Sequence, residues 1–333
     1  LTMNLSAYSI LGSIIGYKLN NNQIKLSSKN AAYSTFFTTL ISAICLVYAF
    51  VTNDFSIKYV FNHSNLSMNP AYTWVAMYAG NEGSLLYIAL IISLSILLVL
   101  KFKPKDLIES EPHLIALMSG FLLFFISVMV FFANPFDTFQ SNIPSDGRGM
   151  NPLLAHPGMF SHPPLLMAGL ATISVPFSLI TSMLLTGTFR NNGLDFVRTT
   201  SLIVWCILGV GLLLGSWWAY TILGWGGYWV WYPIENVGLM PWLVMTAFIH
   251  SIIVQRRRGM FRVWNVILIF LAFVLAQFGM FINRGGPVVS VHSFAASTLG
   301  YIFLGFMVFS ALFCSSLIFI TNYNKIYSDN KIE

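Results

Sequence analysis

Six of the nine tryptophans in this sequence fall between Gly215 and Trp242: Trp217, Trp218, Trp225, Trp229, Trp231 and Trp242. Tyr220, Tyr228 and Tyr232 lie among them, and Gly224, Gly226 and Gly227 let the backbone turn tightly there. Rings at this density make a platform for a large, flat, apolar ligand, held by stacking and by area removed from water. An aromatic belt at a membrane surface is the competing reading, but a belt spreads its rings over many helix ends. Glu235 and Asn236 come directly after Pro233. They suit a helix start, where Pro and an acid are both favoured, as well as they suit ligand contact.

Two histidines flank this stretch, His162 in HPGMFSHPPLL and His292 in NRGGPVVSVHSFA. Neutral imidazole is a common haem and metal ligand, so a pair beside an aromatic shelf suits axial ligation of a haem iron. His156, six residues before His162, is a spare candidate. Arg284 suits bidentate binding of a carboxylate, such as a haem propionate, or of a lipid phosphate. His250 lies 12 residues beyond Gly238. At about 1.5 Å per residue it sits roughly 18 Å down a helix, inside an apolar layer about 30 Å thick. Ionisable groups at that depth usually face the bundle interior. Ligation of a buried haem and a hydrogen bond to a Ser or Thr both fit. No second histidine shares the depth, so a second ligand would be one of the 14 methionines or come from elsewhere.

The elements that position these residues are membrane spans. The 333-residue chain is 56% hydrophobic and only 8% charged, with mean hydropathy +0.74. Soluble domains carry about 25% charge, and disorder needs low hydrophobicity, so both classes are excluded. Long unbroken apolar runs argue against a β-barrel, which alternates. Runs near 5–17, 32–52, 84–100, 113–133, 164–187, 200–216, 238–254, 263–283 and 296–321 predict an all-α bundle of about nine transmembrane helices in a single domain over 1–333. The first run is short. With the N-terminus outside and the C-terminus inside, 14 of 17 basic residues fall on the inner side, and only Lys58, Arg148 and Arg284 fall outside. The tryptophan-rich stretch, about 215–242, is then an outer loop.

Other classes fall away. The net charge of +6 is spread over short loops and makes no nucleic-acid face. Cys45, Cys206 and Cys314 sit singly in apolar runs and read as buried, with no CxxC for a disulfide, zinc or thiol-redox site. No basic stretch precedes the first run and no small-residue cleavage site follows it, so no signal peptide is expected.

WGGYWVWYPIENVGLMPWL resembles the tryptophan-rich signature of haem-handling membrane proteins. GMNPLLAHPGMFSHPPLL, LGSWWAYTILGWGG, the FIH of MPWLVMTAFIHS, SVHSFA, NEGSLL and DFSIKYV together resemble the CcmF haem lyase family of cytochrome c-type biogenesis proteins. The matches run in family order from about residue 54 to 300. The resemblance implies haem docking on the tryptophan shelf and thioether attachment to a CxxCH motif of apocytochrome c outside the membrane. It implies a haem chaperone and a thiol-reducing partner. His162 and His292 match the family's two external haem ligands, and His250 matches one of two membrane histidines that hold a b-type haem. Three departures stand out. Tyr232 replaces the acid of the usual WDP, Asn81 replaces the His of HEGSLL, and members are typically about twice this length. These imply either one piece of a split lyase completed by a second chain, or a divergent member without the buried haem. A lyase-derived structural subunit and a haem binder or exporter without lyase chemistry remain the rivals. The setting is a mitochondrial inner membrane or a bacterial plasma membrane, with the active face towards the intermembrane space or periplasm.

Overall fold

The computed structural model describes residues 1–223, 227–229, 231–285 and 298–320. Among them the regular structure is almost wholly helical: α1 (Thr2–Lys18), α2 (Asn22–Val51), α3 (Lys58–His63), α4 (Pro70–Thr73), α5 (Asn81–Phe102), α6 (Glu111–Phe132), α7 (His162–Thr172), α8 (Ser174–Thr186), α9 (Asn191–Leu223), α10 (Pro233–Arg258), α11 (Arg262–Asn283) and α12 (Leu299–Ile320). Eight helical segments are long and apolar enough to cross a membrane, α7 and α8 counting as one. The chain is a polytopic helical membrane protein. In a bilayer each span must satisfy its own backbone polar groups, so apolar runs of this length fold as helices whatever their weak local preferences.

At 17 residues α1 is short of a full span. It packs against α2 and α6. Its buried face is Ser6, Ser9, Gly12, Ser13 and Gly16, small residues that let backbones approach closely. A Cβ on Gly12 would lie 2.9 Å from the Ser28 Cβ. The predicted span 164–187 is broken at Ile173 into α7 and α8. Pro176 is the cause: it lacks an N–H and its ring crowds the Thr172 carbonyl four residues back. This is the most enclosed span, and α5, α6, α9, α10 and α11 pack around it.

The basic side chains gather at one end. Lys103 and Lys29 pair with Glu111, and Arg256 makes a two-pronged bond to Asp195. The opposite end carries the aromatic residues and a cap made of α3, α4 and the segment 134–160. The cap is anchored by tyrosines: Tyr59 donates to the Met77 carbonyl, Tyr78 to Met159 (2.9 Å) and Tyr87 to Pro164 (3.2 Å).

The cysteine expectation is corrected. Cys314 is buried, but Cys45 and Cys206 are exposed. They sit on the outward faces of α2 and α9, while neighbours such as Leu46 and Leu208 on the other faces of the same helices are buried.

Candidate functional site

The tryptophan-rich segment is mostly helix, not a 28-residue loop. α9 runs on to Leu223 and α10 begins at Pro233, which leaves 224–232 between them. At 33 residues, α9 extends about 50 Å, well beyond an apolar layer of about 30 Å. Trp217 and Trp218 lie in its last turns. Trp218 is buried and Trp217 is exposed. Trp242 leaves the shelf altogether. It lies in α10, stacked on Trp205 of α9 with centroids 5.1 Å apart, its indole N–H donated to the Trp205 carbonyl. Trp225 and His292 lie outside the described residues.

His162 is the first residue of α7. Its Nδ1 is 2.8 Å from the Gly211 carbonyl of α9. A carbonyl only accepts, so Nδ1 carries the proton and Nε2 carries the lone pair that ligates metals. The Trp218 ring packs edge-on at 5.7 Å. Gly215 makes room for the imidazole: a Cβ there would meet His162 Cε1 at 2.5 Å. Tyr78 and Tyr87, bonded to carbonyls at Met159 and Pro164, hold the chain on either side of His162. Neither Gly211, Gly215 nor these tyrosines stood out in the sequence. Their roles depend on which helix lies opposite.

His162, Gly215, Ser216, Trp229, Ile234 and Glu235 line one narrow cleft of about 30 Å³. That is room for a water or two, so a large ligand would sit at its mouth. The Trp229 indole N–H is buried there and has no hydrogen-bond partner among the described residues. Such a donor is costly to leave unmet, which makes it an observation pointing to an acceptor supplied from outside the described chain. Trp231 is 71% exposed and takes a left-handed backbone with φ +60°. Asn236 donates to the Trp231 carbonyl (2.9 Å), so Asn236 fixes the turn between α9 and α10.

His156 is built differently from His162. Its Nδ1 accepts from the Gly158 N–H, which puts the proton on Nε2, and Nε2 faces the Thr221 hydroxyl at 3.2 Å. Its ring stacks on Trp218. Both nitrogens are used within the fold, so His156 packs the cap and is not available as a ligand. Burial lowers its pKa.

Arg284 departs from the expectation of an outward cation. It is fully buried. Nη1 donates to the Asn81 carbonyl (3.0 Å), the Asn81 side chain (3.1 Å) and the Ser84 hydroxyl (2.6 Å). It thus ties the end of α11 to the start of α5. Burial pushes its pKa down to about 10, opposed by the nearby Tyr59 and Glu82.

His63 lies in the same cap, its Nδ1–H donated to the Tyr59 carbonyl. Burial lowers its pKa below the ordinary 6.5, with the Tyr59 contact and Glu82 opposing. The unfolded chain therefore binds a proton that the folded chain resists. Stability is full above about pH 6.5 and falls as pH drops below it. His63→Gln should flatten the loss of melting temperature between pH 7 and 5; an unchanged slope counts against this assignment.

His250 is also redirected. It lies on an exposed face of α10, not inside the described bundle, beside Ala247, Ser251, Val254, Phe261 and Trp264. Its Nδ1–H is donated to the Thr246 carbonyl one turn back (2.8 Å), leaving the lone pair on Nε2. No cluster of three or more His, Cys, Asp or Glu residues suited to a metal ion occurs among the described residues.

Comparison with known proteins places this geometry. Residues 78–286 match the model of the family described as "Cytochrome C assembly protein". The chain is 38% identical over 329 residues to the cytochrome c-type biogenesis protein CcmF of Escherichia coli, covering 97% of this chain and 50% of that protein. It is 36% identical over 313 residues to CcmF of Haemophilus influenzae, covering 92% and 48%. A solved structure titled "Cytochrome c Heme Lyase CcmF" superposes with a TM-score of 0.81 at 30% identity, over 96% of this chain and 49% of that one. The chain spans about half the length of the curated relatives it matches.

Proposed function

Because this chain belongs to the cytochrome c assembly protein family, we propose that it is a haem lyase component acting in cytochrome c maturation. On this reading the aromatic end binds haem and presents it for thioether attachment to apocytochrome c. The single observation that carries the reading is the cleft that joins His162, Trp229 and Glu235. The residues present fit a haem at its mouth. His162 offers an Nε2 lone pair, Trp229 offers a flat wall and a buried N–H in want of an acceptor, and exposed Trp217 and Trp231 extend the aromatic surface. His292, and Trp225 beside the cleft residues in sequence, are the remaining members of this set.

Haem supplies the reactivity: its vinyl groups add the thiols of the acceptor peptide. This chain's own residues orient and exclude. Gly211 fixes the tautomer of His162, Gly215 and Trp218 fix its ring, and Asn236 sets the turn that carries Trp229 and Trp231. Catalysis by such a site is largely placement of the reacting groups. Tyr232 leaves the family's usual acidic position uncharged, and Glu235, one turn on, keeps a carboxylate in the cleft.

His250, with its lone pair on Nε2, would hold the iron of a buried b-type haem. An imidazole on a lipid-facing helix surface is unfavourable in a bilayer. Its exposure favours a further polypeptide segment that covers this face and would supply another ligand. A haem chaperone and a thiol-reducing protein complete the partners proposed, with the aromatic end facing the intermembrane space or periplasm.

The test is a reduced-minus-oxidised absorption spectrum with pyridine haemochrome quantification on the gently solubilised native assembly. The expected result is a b-type signal that His250→Ala removes and His162→Ala spares. Absence of any haem signal, together with normal cytochrome c levels in the His162→Ala variant, would leave a haem-free structural subunit as the better reading. Gly215→Ala probes the same site without touching a ligand. Its Cβ must displace the His162 ring, and overpacking of this kind costs about 1–3 kcal/mol. Haem affinity at the aromatic end should fall about tenfold or more in a titration followed by absorbance.

A further inference from the structure

At the basic end of the bundle the ends of α1, α2 and α6 meet around a crevice of about 310 Å³, the lower range of small-ligand sites. We propose that it binds the headgroup of an aminophospholipid, the phosphodiester on the Lys25 side and the primary ammonium on the Glu109 side.

Opposite charges line opposite walls. Lys25, Asn22 and Ser28 belong to the first turns of α2, and Glu109 and Glu111 to the turn that enters α6. Lys25 Nζ is steadied by a bond to Asn20 Oδ1 at 3.0 Å, and the amino end of α2 adds its dipole to the same wall. Glu111 is already countered twice, by Lys29 at 3.2 Å and Lys103 at 2.5 Å. Glu109 is in no ion pair among the described residues, so it is the carboxylate left to receive a cation. Ile108, 60% exposed, lines the crevice and offers apolar surface to a glycerol backbone. Three helix ends set the crevice at the polar boundary of the apolar layer, where headgroups lie. One ligand answers both walls: a phosphate monoanion linked by two carbons to an ammonium with three N–H donors. A trimethylammonium headgroup has the cation without the donors, and a glycerol headgroup has no cation.

The measurement is native mass spectrometry of the assembly after exchange into vesicles of phosphatidylethanolamine, phosphatidylcholine or phosphatidylglycerol, with and without inorganic phosphate. Phosphatidylethanolamine should be retained at a defined stoichiometry, and the other two should not. Loss of one charge-assisted bond is worth about tenfold. Lys25→Gln and Glu109→Gln should each reduce retention by that factor while leaving the melting temperature of the assembly unchanged. Equal retention of the three lipids, retention unaffected by both variants, or displacement by inorganic phosphate alone overturns the assignment. The haem spectrum is not expected to change in either variant, so the result is independent of the proposed haem chemistry.

Discussion

His162→Ala should abolish haem attachment to cytochrome c in cells that depend on this chain, with the assembly still present at normal levels. The side chain is only half-buried and its bond to the Gly211 carbonyl is a neutral one, so its loss should cost the fold less than a core truncation. A typical neutral hydrogen bond contributes about 1 kcal/mol net. What disappears is the Nε2 lone pair at the mouth of the cleft, and no neighbouring group replaces it. His156 cannot, because its two nitrogens are held by Gly158 and Thr221. Covalent haem counted by haemochrome assay on the cytochrome c pool checks the outcome. Wild-type levels of attached haem in this variant would remove His162 from the proposed ligand set. His162→Gly with imidazole added to the medium should restore part of the attachment if ligation is the role.

Arg284→Met should be the most destabilising single change at the aromatic end. The guanidinium is wholly enclosed and Nη1 alone reaches three acceptors on α5. Removing it takes the buried cation away from the Asn81 and Ser84 oxygens and from nearby Glu82. Breaking a buried charged network by deleting one member costs about 3–5 kcal/mol. In a detergent-solubilised assembly that is a melting temperature lower by several degrees, with Arg284→Lys intermediate because a single ammonium cannot span the same acceptors. An Arg284→Met assembly that melts with the wild type would mean that the guanidinium is not holding α11 to α5. The outward propionate role expected for Arg284 then returns as the alternative.

Much of the fold was legible because a bilayer leaves so few options. Apolar runs of about 20 residues must become helices, and the Lys and Arg between them mark the ends. Seven of the longer predicted runs reappear as helices with boundaries moved by several residues, and 164–187 reappears with a break at Ile173 that Pro176 explains. The tryptophan-rich segment was legible as a cluster but not as a shape. Nothing local in GSWWAYTIL distinguishes a loop from the last turns of a long helix, and the structure gives the helix.

The sequence by itself determined the composition of the candidate site and its place near the ends of α7, α9 and α10. His162, Trp217, Trp218, Trp229, Trp231, Glu235 and Asn236 are recognisable by type and spacing. Only the tertiary structure decided what each of them does. Trp242 stacks on Trp205, Arg284 turns inward to α5, His250 turns outward from the described bundle, and Gly215 shapes the seat of His162. The reason is geometric. A helix of 3.6 residues per turn sends side chains in every direction, and which direction meets lipid, a cleft or another helix is set by partners up to 203 residues away along the chain.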